Sequence, residues 1–248
     1  MKLTVTKYVK SIGFGDTNPQ LFTCDDGKDY VVKLIKNPVD IHVLSNELIA
    51  YRLGALFDLP IAKGEIIHIT DEFIRSNKLP EAMNATAGPH FGSLYIKNAE
   101  HSTSTNIKRC TNLEIVPRMI AFDHWIQNKD RRSSRENLLV VKEENDYKLL
   151  LIDHADAFTG YYSESPWLSD VKPLWGKVYH WFSTVLTKKG AYDEVYKLLN
   201  KIDKTKIEET IGEIPKEWRV SKEQLNYLIT HLVNRKDKLK QVLEQLNP

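Results

Sequence analysis

Polar and apolar residues alternate from Leu3 to Val9, the period-two pattern of a strand with one buried face. Apolar runs at Gln20–Thr23 and Tyr30–Ile35 predict two more strands, and Asp25-Asp26-Gly27-Lys28 between them is a hairpin-turn sequence. Gly13-Phe14-Gly15-Asp16 falls between the first two strands, and Pro38 stops the third. The period then changes. Leu44, Leu48, Tyr51, Leu53, Ala55 and Leu56 recur at helical spacing over Val43–Phe57, with Ser45 near the start and Leu59-Pro60 beyond the end. Strands are expected again at Ala62–Ile69 and Phe91–Ile96, with a short helix and loop within Asp71–Gly88. The polar, Ser/Thr-rich stretch Asn98–Arg109 reads as a mobile surface connection.

Beyond it the helical period dominates. Leu113, Val116, Met119, Ile120, Phe122, Trp125 and Ile126 predict a helix over Thr111–Gln127. One strand pair interrupts, Leu138–Val141 and Lys148–Ile152, around a Glu143-Glu144-Asn145-Asp146 turn. Helices are then expected at Lys177–Thr187, Ala191–Ile202, Lys204–Gly212 and Ser221–Leu246. Strands in front and helices behind make an α+β, bilobal arrangement. Residues 1–97 form a β-rich N-terminal lobe and 98–248 a mainly helical C-terminal lobe, with the cleft between them as the natural ligand site.

Composition narrows the functional classes without choosing one. At 248 residues and 42% hydrophobic content the chain is long enough for a sizeable core. Its 35 basic and 33 acidic residues leave a formal charge of +2, which argues against a dedicated nucleic-acid surface. Cys24 and Cys110 offer neither a disulfide framework nor zinc spacing. The first ten residues lack the apolar core of a signal peptide, and no run approaches the roughly 20 apolar residues of a membrane span. A cytoplasmic protein, monomeric or weakly dimeric, is expected.

The chemistry concentrates between Asn128 and Asp153. A helix ends at Asn128-Lys129-Asp130-Arg131, Asn137-Leu138-Leu139-Val140 opens a strand, and Leu149-Leu150-Leu151-Ile152-Asp153 closes the next. Phosphoryl transfer needs a carboxylate beside the acceptor hydroxyl, here Asp130. It also needs hard oxygen ligands for magnesium, and Asn137 and Asp153 at the ends of paired strands are suitable. The interval Asp-x6-Asn is wider than its counterpart in protein kinases. Taken singly, each of the three is also an ordinary turn or cap residue.

Upstream, Lys33 stands among apolar strand residues in Tyr30-Val31-Val32-Lys33-Leu34. A lysine on a buried face needs an anionic partner, and ATP phosphates would serve. On an exposed face it needs none. Glu47 on the following helix matches it as an ion-pair partner, with Asn46 a second polar candidate beside it. Gly13 and Gly15 give only G-x-G of the full phosphate loop. They fit either a backbone approach to phosphates or a plain hairpin turn.

Together these segments resemble the HipA-like kinases, in particular their short single-domain bacterial members. Those share an atypical protein-kinase-like fold with the type II phosphatidylinositol 4-kinases. The similarity rests on Phe22–Lys33, Asn46–Gly54, His90–Ser93, Phe122–Arg131 with Asn137-Leu138-Leu139, Leu151–His154, and Ile214–Trp218 in the tail. It implies ATP and Mg2+ as cofactors, with Lys33 on the phosphates, Glu47 as its partner, Asp130 as catalytic base, and Asn137 and Asp153 on the metal. It further implies that Phe91–Lys97 supplies the strand and hinge beside the adenine. Two features depart from ordinary kinases. His154-Ala155-Asp156-Ala157-Phe158 is not D-F-G, and Lys129–Arg135 is unusually basic, either meeting phosphates or an acidic acceptor or forming a solvated run.

Three functions compete at this stage. One is an active kinase with a protein Ser/Thr or small-molecule acceptor, and one a nucleotide-binding pseudokinase or scaffold. The third is a helical interaction module built on the apolar stripe of Ser221–Leu246, although such a stripe more often packs on its own core. The histidines show no metal spacing. Trp125, Trp167, Trp175, Trp181 and Trp218 are expected to pack the helical lobe.

Overall fold

The computed structural model describes residues 2–13, 17–36, 42–132, 137–159, 162–163, 172–174, 176–186 and 190–246. Five strands close into a barrel: β1 (Leu3–Ser11), β2 (Gln20–Cys24), β3 (Asp29–Lys33), β5 (Gly88–Leu94) and β4 (Gly64–Ile69), in that spatial order. All neighbours are antiparallel except β1 and β4, which run parallel through Leu3↔Ile67 and Thr4↔His68. Closure leaves no free edge. The Asp25–Lys28 turn forms as its sequence demands, with Gly27 at φ 75°, a left-handed conformation that glycine adopts without strain. Val5, Phe22, Tyr30, Val32, Ile67 and Phe73 fill the barrel.

Helix α1 (Val43–Leu56) joins β3 to β4 and is buried nearly all round, including Ser45, Asn46 and Glu47. Its Ile49, Ala50 and Leu53 belong to the large core built on α3 (Val116–Trp125). The predicted helix over Thr111–Gln127 is shorter than expected. A 3-10 turn at Leu113–Ile115 precedes it, Pro117 occupies its first turn, and Gln127 at φ 54° ends it. Between α2 (Asp71–Ser76) and α3 the stretch expected to be a loose connection is ordered. Its strand β6 (Glu100–His101) pairs with β7 (Leu138–Glu143), which pairs with β8 (Asp146–Leu151) in a second sheet. Thr103 N donates to Asn106 Oδ1 at 2.7 Å and Asn106 N to Thr103 Oγ1 at 3.0 Å, and Ile107 is buried in the core. Reciprocal side-chain bonds of this kind satisfy backbone groups that a polar stretch would otherwise give to water.

Downstream, the helix predicted over Lys177–Thr187 is two single turns, α4 (Lys177–His180) and α5 (Ser183–Leu186), both held on the core through Tyr179, Phe182 and Leu186. Helices α6 (Asp193–Lys201), α7 (Lys204–Gly212) and α8 (Lys222–Leu246) follow. The stripe of α8 packs inward, with Leu228, Leu232, Leu239, Val242 and Leu243 buried beside α3 and α7. Trp125 lies in that core and donates to Leu232 O at 2.9 Å. Trp218 does not join it. It packs with Leu44, Leu48 and Phe91, and its Nε1 donates to Pro89 O in β5 at 2.9 Å. Trp167 and Trp175 lie outside the described residues. Among the described residues, no helix is long and apolar enough to cross a membrane.

Candidate active site

Lys33 is the last residue of β3. Strand alternation points Val32 into the barrel and Lys33 to the opposite face, where α1 covers it and leaves it only 7% exposed. Glu47, buried on α1, accepts a hydrogen bond from Lys33 Nζ. The same ammonium lies 2.8 Å from Asp153 Oδ1, 120 residues away in sequence, in the turn just beyond β8. The structure thus brings together three residues that the sequence placed on a strand, a helix and a second strand.

Burial works against the Lys33 charge, but the carboxylates of Asp153 and Glu47 outweigh it and raise its pKa. Burial pushes the Glu47 carboxyl up to about 7, against the pull of Lys33. Asp153 goes the other way. Burial opposes its ionisation, yet Lys33 prevails and holds it below the usual carboxylate range. The asymmetry follows the partners: Asp153 is further stabilised by the Ala155 N–H and by the Glu47 carboxyl, whereas Glu47 also feels the repulsion of Asp153.

Asp153 has φ 53°, a backbone region that non-glycine residues seldom occupy. Three bonds hold the turn there. His154 N donates to Glu47 Oε2 at 3.1 Å, Ala155 N to Asp153 Oδ1 at 3.2 Å, and Asn46 Nδ2 to Ala155 O at 2.6 Å. Asn46 also accepts from the Tyr162 hydroxyl. Strain kept by surrounding contacts is a feature of functional sites.

Asp130 begins a 3-10 turn that follows α3 after the left-handed Gln127, and Asn137 immediately precedes β7. Asn137 Nδ2 donates to Asp130 Oδ2 at 2.5 Å. Gly13 lies at φ 73° with open space where a Cβ would stand, while Gly15 is outside the described residues.

The basic run after Asp130 behaves differently from either expectation at Arg131. Its guanidinium is fully buried and paired with Asp123 of α3, Nε to Oδ2 at 2.9 Å, with both side chains at 0% exposure. It therefore meets neither solvent nor phosphate. Asp123 also accepts from Tyr179 Oη at 3.0 Å and Asn128 Nδ2 at 3.3 Å. Burial raises the Asp123 pKa while Arg131 and these donors lower it. Sequence reasoning missed Asp123, although a carboxylate inside the apolar pattern Phe122-Asp123-His124-Trp125 is a signal that a buried partner must exist.

Comparison with known proteins agrees with this geometry. The family model for HipA-like kinases matches residues 5–247, and the chain belongs to that family. Among solved structures, the Helicobacter pylori proinflammatory kinase CtkA is similar with a TM-score of 0.64 at 15% identity, over 99% of this chain and 98% of that one. The hydra Fam20 structure with sugar gives 0.51 at 12% identity, over 98% and 85%. The Golgi casein kinase with Mn/ADP bound gives 0.50 at 11% identity, over 98% and 74%. Likenesses at these identities establish a kinase-like fold. No curated protein sequence matches the chain.

Proposed function

We propose that the chain is an ATP- and Mg2+-dependent phosphotransferase, bilobal, with residues 1–97 clamping the nucleotide and 98–248 carrying the catalytic loop and helical tail. The observation that carries this reading is the convergence of Lys33 with Glu47 and Asp153 beside the Asp130–Asn137 pair. The acceptor is a protein Ser/Thr hydroxyl, a choice supported by the kinship in fold with a casein kinase that holds Mn/ADP. The two cysteines are free and buried, which fits the reducing cytoplasm.

The residues present suit a metal–nucleotide. Asp153 offers a carboxylate that reaches the surface, and Asn137 turns its amide nitrogen to Asp130 while its Oδ1 accepts no hydrogen bond among the described residues. Hard oxygen donors are what magnesium takes. When bound, Mg–ATP supplies the transferable γ-phosphoryl group and neutralises its charge. Lys33 contributes a fixed ammonium for phosphate oxygens, and Glu47 keeps that ammonium from collapsing onto Asp153 alone. Asp130 accepts the acceptor hydroxyl's proton, its carboxylate oriented by the Asn137 amide. Gly13, at φ 73° and with open space beside it, would let backbone N–H groups approach the phosphates, as the sequence expectation for the Gly13 and Gly15 pair has it.

A second reading, nucleotide binding without transfer, draws on the direct Lys33–Asp153 contact, which occupies the proposed metal carboxylate with protein. Incubation with labelled ATP, Mg2+ and a panel of Ser/Thr protein acceptors separates the two. Transfer that Asp130→Ala and Asp153→Ala each reduce by about a thousandfold supports the kinase. ATP-dependent thermal stabilisation with no turnover supports the second reading, and no nucleotide binding by calorimetry sinks both.

A further inference from the structure

Asp130, Asn137 and Asp153 come from three separate stretches of chain, and one side chain touches all three stretches. Arg131 follows Asp130 directly. Its Nη1 donates to Asn137 O and, at 3.2 Å, to Ile152 O, the residue before Asp153. Its Nη2 lies 2.7 Å from His154 Nε2, the residue after Asp153. Its Nε is tied to Asp123 on α3, so the whole arrangement is referred to the helix core.

We propose that Arg131 is the positioning residue of this site, setting the spacing of Asp130, Asn137 and Asp153 with a single guanidinium; this rests on the phosphotransferase reading above. Three physical points support it. First, an arginine fork offers donors in fixed directions, and here they reach two backbone carbonyls, an imidazole and a carboxylate from one plane. A lysine in the same place has a point charge and cannot span them. Second, the two carbonyls belong to Asn137 and Ile152, where β7 and β8 meet: Ile152 N donates to Asn137 O at 3.2 Å. Arg131 therefore closes the end of that hairpin at the point where the two proposed metal-holding side chains emerge. Third, Nη2 bonds His154 Nε2 at 2.7 Å, so the same guanidinium holds the residue after Asp153 as well as the one before it.

A residue that frames metal ligands acts on metal dependence and turnover without touching the nucleotide clamp. R131K keeps a cation opposite Asp123, avoiding the unpaired buried carboxylate that a neutral substitution would leave. In R131K, kcat for phosphotransfer is expected to fall about 100-fold and the half-saturating Mg2+ to rise about tenfold. Metal-free ATP binding, which depends on Lys33 and Glu47, is expected to stay unchanged by calorimetry. Wild-type kcat and Mg2+ dependence in R131K overturn the positioning role while leaving the phosphotransferase intact. A parallel fall of kcat, metal-free ATP binding and folded fraction also overturns it, because that is loss of structure alone. Absence of transfer in the wild-type chain, with every acceptor, removes the phosphotransferase reading and this inference with it. If R131K does not accumulate as folded protein, D123N carries the same test. It retains the guanidinium but loosens its tether, and a tenfold fall in kcat with raised Mg2+ demand is expected, about the lower limit for such shells. Unchanged values in D123N overturn the proposal.

Discussion

Two buried cations hold the chain at Asp153, Lys33 by its carboxylate and Arg131 by the residues before and after it, and they are held differently. Lys33 shares two carboxylates, one of which is 38% exposed. Arg131 and Asp123 are both sealed from solvent, at 0% exposure. An ion pair open at one end can exchange a protein partner for a ligand at small cost. A closed pair cannot, because separating it strands a charge in a low-dielectric interior. The first arrangement suits binding and the second suits framing. The difference also separates the consequences of mutation, since breaking the open pair is read mainly in function, whereas the closed pair shows its framing role only in substitutions that keep Arg131 and Asp123 partnered and is read in folding when one partner is deleted.

The largest departure from this balance is expected on acidification. His90 Nδ1 accepts from Ile35 N while its Nε2 faces Thr86 O, and His124 Nε2 accepts from Leu174 N while its Nδ1 faces Ile120 O. Each ring is thereby fixed as neutral. Burial lowers both from the ordinary 6.5 to about 4. Burial also lowers His231 to about 3. A histidine held neutral when folded but protonated when unfolded contributes stability that is complete above 6.5 and lost as pH falls towards 4. The loss is on the order of 3 kcal/mol for each of the first two rings. Denaturant melts between pH 7 and 4 should steepen in that window, and a flat profile contradicts the assigned tautomers.

Asp123→Ala comes next. It leaves Arg131 buried without its carboxylate and should cost about 3–5 kcal/mol in chemical unfolding. Lys33→Met should cost less, about 1–3 kcal/mol, because Asp153 reaches water and Glu47, already raised to about 7, takes up a proton. Its ATP affinity should nevertheless fall at least tenfold, roughly the loss of one charged contact. Equal stability losses in the two variants would erase the distinction between open and closed pairs. The smallest effect is expected at Arg52–Glu213, a 2.7 Å surface pair with the glutamate 44% exposed. Glu213→Ala should change stability by no more than about 0.5 kcal/mol, the baseline for an exposed pair.

The open cluster was legible in the sequence and the closed one was not, for a physical reason. Lys33, Glu47 and Asp153 carry residue types whose chemistry is specific, set on elements whose periodicity is clear. Arg131 stands in a run with Arg132 and Arg135, where composition suggests a solvated face. Its burial depends on the left-handed Gln127, which turns the chain back so that Arg131 meets Asp123 on the preceding helix. Nothing local announces that reversal. The same holds for residues 98–109, where polarity suggested exposure but Thr103 and Asn106 satisfy one another and Ile107 is buried. Helices α7 and α8 were read closely because their patterns are long and amphipathic. The 177–186 stretch was not, because its conformation is set by contacts with the core.

The bond from Trp218 to Pro89 spans 129 residues of sequence. At about 5–20 residues per second, the ribosome delivers this tryptophan roughly ten seconds after the strand it braces. For that interval the nascent barrel lacks the indole that packs against Phe91, Leu44 and Leu48. The amino-terminal half therefore waits on the carboxy-terminal half for its last support, and a newly made chain acquires a fully braced barrel only once its tail has folded back.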